Sequence, residues 1–288
     1  MEWPKAWAQG WHPVAFLDEI PSDRPYACQL MGVKLVAFRH ADTVALLRDR
    51  CPHRGAPLSA GRIVDGALAC PYHGWRFGPA GDCVEIPGWA HQPKQCTQTY
   101  PTKLAAGLLW TTLAADPPPF PTLPDAMADT GLDRFWWRLP ASQAGALDAL
   151  ENHLDPAHPH ILHPWLVRHP RRRMPVTVDL SMGAWGAEAI YTEHRRNRAL
   201  LSGVMEGSRA CSIGRLWPPS IGEVRLESAN GAMLSIAVIF APETSGTTRP
   251  YAHFASTRGW LPAWFKRFAL KAFHRPVLAQ DRRMLALQ

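Results

Sequence analysis

The first 115 residues place apolar and polar positions in short runs broken by turn residues. Val33–Phe38 and Val44–Leu47 read as strands. Asp65-Gly66, set between Ile63-Val64 and Leu68, is a hairpin turn signal, because both residues tolerate positive φ. The run Gly78-Pro79-Ala80-Gly81-Asp82 predicts a second tight connection. This is an all-β pattern. Five prolines then fall in the nine residues from Asp116 to Pro124, which excludes helix and central strand there. A domain boundary is placed in that run, giving an N-terminal domain over 1–118 and a second over 125–288.

The second domain has a different rhythm. Ala141–Leu154 carries Leu147, Leu150 and Leu154 at helical spacing. Strands are predicted at Val176–Leu180, Ala187–Thr192, Glu223–Glu227, Met233–Phe240 and Tyr251–Thr257, with a hairpin turn at Asn230-Gly231. From Trp260 to Gln288 the pattern is helical, interrupted at Pro276. The fold class is therefore α+β. An all-β domain precedes a helix-over-antiparallel-sheet domain with a pocket between helix and sheet.

Composition narrows this picture. The chain has 288 residues, enough for two ordinary domains, and 47% hydrophobic against 19% charged residues is a globular balance. Lys+Arg exceed Asp+Glu by 31 − 24 = 7. The basic residues are scattered, Arg171-Arg172-Arg173 is the densest run, and no nucleic-acid motif accompanies it. An acidic electron-donor protein suits such a surface better than nucleic acid. No basic segment followed by an apolar one opens the chain, and stretches such as Leu104–Ala115 are too short to span a bilayer. A cytoplasmic protein is expected, and its six cysteines are not expected to form disulfides.

Two of those cysteines sit beside histidines. Cys51-Pro52-His53 is followed after sixteen residues by Cys70-Pro71-Tyr72-His73. Each half offers one thiolate and one imidazole, and a Rieske [2Fe–2S] centre needs two cysteines on one iron and two histidines on the other. Structural zinc also accepts two cysteines and two histidines, but the usual finger order is Cys-Cys-His-His. Gly55 and Gly74 follow the two pairs and would let backbone N–H groups approach cluster sulfurs. Cys28, Cys83, Cys96 and Cys211 lack such partners and read as small core residues.

A second ligand-rich run spans Glu151 to His163. His158 and His163 are five residues apart, and an unbroken helix would leave them about 140° apart around its axis. They can meet on one metal only if the helix breaks, and Pro159 lies between them. Two histidines and one carboxylate make the facial triad of non-haem Fe(II) oxygenases. The carboxylate must come from elsewhere, and Asp281 is the candidate, although an Asp in a charged helix is also an ordinary solvated residue. His153 and His160 read as surface residues or as residues that support the metal ligands from behind.

The combination Cys51-x-His53…Cys70-x₂-His73 with Asn152-x₂-Asp155-x₂-His158-x₄-His163 resembles the oxygenase component of the Rieske non-haem iron oxygenases. The likeness extends over nearly the whole chain and is greatest to the vanillate and dicamba O-demethylase type. Pro242-Glu243-Thr244 resembles a strand-end motif of that group. The resemblance implies a Rieske [2Fe–2S] cluster and a mononuclear Fe(II) held by His158, His163 and Asp281. It further implies a homotrimer, a separate reductase or ferredoxin, and hydroxylation or oxidative demethylation of an aromatic or other apolar cyclic small molecule with O₂. Within it, Asp155 bridges the two metal centres across a subunit interface, near Asn152. No Gly-x-Gly-x-x-Gly opens a helix after a strand, in keeping with an external reductase. The competing readings are a Rieske ferredoxin-like electron carrier and a binding protein that has lost catalysis. Met182, Trp185, Leu201, Val204, Met205, Ile236, Val238 and His253 are candidate pocket residues. His253 is the polar one that could orient a substrate.

Overall fold

The structure, a computed structural model, describes residues 3–90, 94–167, 176–193, 209–228 and 231–288. The chain divides into two compact units, Met1–Phe120 and Pro121–Gln288, and the division falls inside the proline-rich run.

The first unit opens with the short helix α1 (Lys5–Ala8) and continues through β1 (His12–Phe16), β2 (Tyr26–Leu30), β3 (Val33–His40), β4 (Thr43–Arg48), β5 (Arg62–Val64), β6 (Ala67–Ala69), β7 (Arg76–Phe77), β8 (Cys83–Glu85), β9 (Thr102–Ala105) and β10 (Leu108–Thr111). These form three small antiparallel sheets in the orders β1-β10-β9, β2-β3-β4 and β5-β6-β7-β8. Leu35 to Phe38 are all fully buried, because β3 has a core on each face. Leu35 and Ala37 face one core with Val14, Leu30 and Leu109. Val36 and Phe38 face a second, with Leu58, Leu68, Phe77, Cys51 and Cys70. The two cysteines of the first motif are thus anchored in a hydrophobic floor. Asp65 and Gly66 take φ of 49° and 75° in a two-residue turn that pairs Val64 with Ala67.

The second unit is built on a seven-stranded antiparallel sheet. Its strands are β11 (Leu132–Arg138), β12 (Val176–Gly183), β13 (Gly186–Glu193), β14 (Arg209–Trp217), β15 (Ile221–Ser228), β16 (Met233–Thr244) and β17 (Thr247–Thr257), in the order β11-β17-β16-β15-β14-β13-β12. The helices are α2 (Ala146–Leu154), the one-turn α3 (Pro159–Leu162) and the long α4 (Ala263–Leu285). Helix α2 packs on β15, β16 and β17 and touches α4. Its approach is close because Gly222 has no side chain. A Cβ there would come within 2.9 Å of Leu150 and 3.0 Å of His153.

The α+β order expected from the pattern is the order formed, with two local differences. Helix α2 starts at Ala146 rather than Ala141, because Ser142 exchanges backbone hydrogen bonds with Thr248 at the sheet. Helix α4 runs straight through Pro276. Pro276 is exposed, so the Ala272 carbonyl that loses its partner there lies on the side open to water. No described helix is long and apolar enough to cross a membrane.

Candidate metal centres and the adjoining cavity

The two halves of the first motif fold into equivalent loops. The Cys51 N–H donates to the Ala56 carbonyl at 2.8 Å, and the Gly55 N–H donates back to the Cys51 carbonyl at 2.8 Å. Likewise the Cys70 N–H donates to Trp75 at 2.8 Å, and Gly74 N–H to Cys70 at 3.1 Å. Both turns need the left-handed backbone that glycine adopts freely, with φ of 72° at Gly55 and 70° at Gly74. The loops bring His53 and His73 together with ring centroids 4.6 Å apart. Trp75 stacks on His53 at 4.6 Å and 6°, and Tyr72 lies 3.8 Å from His73, so each imidazole has an aromatic support. The cysteines are buried and the histidines exposed. Burial, and then the neighbouring Cys70 thiol, push the Cys51 thiol up to about 11. Such a thiol gives up its proton to a metal rather than to water.

In the second motif the chain leaves helix at Asp155, the C-cap of α2 (φ −70°, ψ 118°), and re-enters it for one turn. Pro159 starts that turn, at the first helical position where its missing N–H costs nothing, rather than breaking it. His158 is the N-cap of α3. His163 is its C-cap, with a non-helical φ of −115°. The two therefore flank a single turn, and their rings approach to 5.2 Å. Helix α4 supplies Asp281. The ligand atoms of His158, His163 and Asp281 all lie within 4.8 Å of one another. Nε2 of His163 is 3.0 Å and Nε2 of His158 3.6 Å from Asp281 Oδ1. His163 Nε2 and Asp281 Oδ1 are buried without hydrogen-bond partners. The set of two imidazoles and one carboxylate, with orphaned acceptors turned inward, fits a divalent metal such as Fe(II).

The far nitrogens of both histidines also have neighbours. His163 Nδ1 donates to Gln280 Oε1 at 2.7 Å. His158 Nδ1 faces Asp155 Oδ2 at 3.6 Å. Asp155 additionally accepts the N–H groups of Ala157 (2.7 Å) and His158 (3.1 Å), so it caps the turn that carries His158. Burial lowers the pKa of His158. Burial alone would lower His163 as well, but Asp281 and Gln280 outweigh it and raise that pKa.

Residues 10–101 match the Rieske [2Fe–2S] domain family. Over 99% of its length the chain superposes on NdmA of Pseudomonas putida CBB5, solved with caffeine, with a TM-score of 0.84 at 22% identity and 83% of that chain covered. The chain carries a Rieske [2Fe–2S] domain. In sequence it is 32% identical over 175 residues to Protein TIC 55, chloroplastic, of Arabidopsis thaliana (54% of this chain, 30% of that one). It is 33% identical over 202 residues to pheophorbide a oxygenase, chloroplastic, of Oryza sativa subsp. japonica (62% and 37%). To methylxanthine N1-demethylase NdmA of Pseudomonas putida it is 30% identical over 184 residues (59% and 51%). The chain spans about a third to a half of the length of these curated relatives.

Beside the triad, within the second unit, lies a mainly apolar cavity of about 510 Å³. Such a volume is in the range of small-molecule sites. Ile236, Val238 and Phe240 of β16 and Ala252 and Phe254 of β17 form its sheet wall. Asn152 and Asp155 line it near the metal ligands. His253 does not. It alternates with Ala252 and Phe254 along β17 and therefore points to the opposite face, where its ring meets Trp136 at 4.8 Å. The expectation that His253 orients a substrate is corrected by that strand parity. Met182 and Trp185 are exposed near the β12–β13 turn and are absent from the wall, and Leu201, Val204 and Met205 lie outside the described residues. His153 and His160 line the cavity near the ligand set. Gln280, the residue before Asp281, faces the ligand set, and His274, which the sequence did not mark, faces the cavity.

Proposed function

We propose that this protein is the terminal oxygenase component of a Rieske non-haem iron system. It would take electrons from a separate reductase or ferredoxin and use O₂ to hydroxylate or oxidatively demethylate an aromatic or other apolar cyclic small molecule. The observation that carries this reading is the convergence of His158, His163 and Asp281 beside a mainly apolar cavity. A pure electron carrier needs neither. Relatives named as an oxygenase and a demethylase support it.

In this reading Cys51, His53, Cys70 and His73 hold the cluster, and His158, His163 and Asp281 the mononuclear iron. When bound, the cluster supplies single electrons and the iron activates dioxygen. The residues of the chain do the rest. The buried cysteines keep one side of the cluster dry, and the exposed His53 and His73 face a redox partner. The apolar wall of β16 and β17 excludes water and holds a ring against the triad. The Asp155 side chain retains 43% of its exposure while facing His158, which leaves it open to a second histidine from a neighbouring subunit. A homotrimer closed by such head-to-tail contacts would bring one subunit's cluster to the next subunit's iron. A cytoplasmic location suits such a system.

The test is a single turnover. The iron-loaded protein is chemically reduced, mixed with O₂ and a panel of ring compounds, and the products are read by mass spectrometry. A product that has gained one oxygen or lost a methyl group is expected. Full cluster reoxidation by an acceptor protein, with no product from any compound at any iron loading, would instead favour the Rieske ferredoxin-like carrier.

A further inference from the structure

The cavity is mainly apolar, yet its wall includes His274, a neutral imidazole whose proton is fixed by the backbone. His274 lies on α4 seven residues, or about two turns, before Asp281, so the two occupy the same face of the helix. Its Nδ1 is 2.8 Å from the Leu270 carbonyl oxygen, one turn back. A carbonyl can only accept, so Nδ1 carries the hydrogen. Burial pushes the pKa of His274 down to about 4, so the ring is neutral at pH 7. A neutral ring protonated at Nδ1 presents a lone pair at Nε2.

Three observations place that lone pair at the cavity. His274 is a wall residue. Its ring stands edge-on to Phe254 of the sheet wall, at 5.2 Å and 75°. Among the described residues Nε2 has no hydrogen-bond partner, yet it is not one of the partnerless atoms shut off from solvent, and the residue keeps some accessible surface. His153, the other neutral wall histidine, differs on that point. Its Nε2 is sealed against the sheet beside Gly222 and Phe240. His274 therefore offers the acceptor, and Leu270 prevents it from turning into a donor.

We propose that His274 Nε2 accepts a hydrogen bond from a hydroxyl or N–H group of the substrate, which makes this residue a determinant of specificity. The proposal rests on the oxygenase reading of the same cavity and deepens it. The substrate class becomes a ring compound that carries a hydrogen-bond donor, with the carbon to be oxidised directed toward His158, His163 and Asp281. A ligand without the donor covers Nε2 and leaves it unpaired, and so loses that interaction.

The test measures binding without oxygen, by calorimetry on the metal-loaded protein, with two matched pairs of probes: 2-naphthol against 2-methylnaphthalene for a hydroxyl donor, and indole against 1-methylindole for an N–H donor. The wild-type protein should prefer at least one donor-bearing member by roughly fivefold to tenfold. His274→Phe keeps the ring shape and should abolish that preference while leaving the affinity for the methylated partner within about twofold. The two pairs separate the two donor types. No preference in the wild type for either pair, including failure of all four probes to bind, overturns the proposal, as does a preference that survives His274→Phe. Because no turnover is involved, absence of oxygenation product would sink the oxygenase reading while these affinities still stood. The wild-type comparison decides even if the variant does not fold.

Discussion

The Nε2 of His163 and the Oδ1 of Asp281 stand 3.0 Å apart, and no hydrogen bond joins them. On the other side of the ring, the Nδ1–H donates to Gln280 Oε1 at 2.7 Å. In the neutral ring this leaves two lone pairs facing each other, an arrangement that a cation between them stabilises. Gln280 thus sets the tautomer that a metal ligand needs.

Gln280→Leu should therefore weaken metal binding at this site by about 10- to 100-fold. Gln280→Glu retains an acceptor and should restore most of the affinity. Titration with Co(II), followed by its visible spectrum, reads the effect without any turnover. Unchanged affinity in the leucine variant would show that His163 is oriented by packing alone.

The two metal sites should be separable. Cys70→Ala should abolish the visible absorption of the cluster. His163→Ala should leave that absorption intact and abolish product formation. Full activity in the His163 variant would mean the triad is wrongly assigned.

Asp155→Asn keeps the shape of the side chain and removes its charge. Both centres should remain loaded, while electron transfer from the reduced cluster to the iron slows by orders of magnitude. Stopped-flow reoxidation of the cluster with O₂ and substrate present measures this. A normal rate would reduce Asp155 to the cap that its bonds to Ala157 and His158 already make it.

Acid should destabilise the fold more steeply than its surface charge would suggest. Burial lowers His12, His153, His253 and His274 from the ordinary 6.5 to about 4. Between those values the unfolded chain binds protons that the folded chain does not, so stability is complete above pH 6.5 and falls as pH drops toward 4. Each group contributes up to about 1.4 kcal/mol per pH unit in that window. Urea unfolding at pH 7 and pH 5, read separately for each unit, should show a clear loss. A midpoint independent of pH would mean these rings are already charged in the folded protein.

How much of this was legible in the sequence depended on how far apart the cooperating residues lie. The first motif was legible because each loop is complete within six residues, from Cys51 to Ala56 and from Cys70 to Trp75. His158 and His163 could be paired from spacing, but Pro159 opens the turn between them rather than breaking it, and the backbone leaves helix at His163, with φ −115°. Asp281 lies in another helix, and only family resemblance pointed to it. Gln280 belongs to the same Gln280-Asp281-x-x-Met284 context as Asp281, but that context does not show that its side chain would meet His163. His274 carries no motif of its own, and its position seven residues before Asp281 was the available signal. His253 failed for a different reason: a one-residue difference in strand parity moves a side chain to the other face of a sheet, and the pattern Tyr251–Phe254 is apolar on both. Strands β11 and β14 were missed because charged and aromatic residues interrupt their alternation.

The most direct measurement is the metal and sulfide content of the purified protein. One cluster and one mononuclear site require about three irons and about two acid-labile sulfides per chain, with the paramagnetic signature of a Rieske centre after reduction. Tightly held zinc without labile sulfide would contradict the oxygenase reading at its root, and a full cluster with no third iron under anaerobic iron loading would contradict it at the triad of His158, His163 and Asp281.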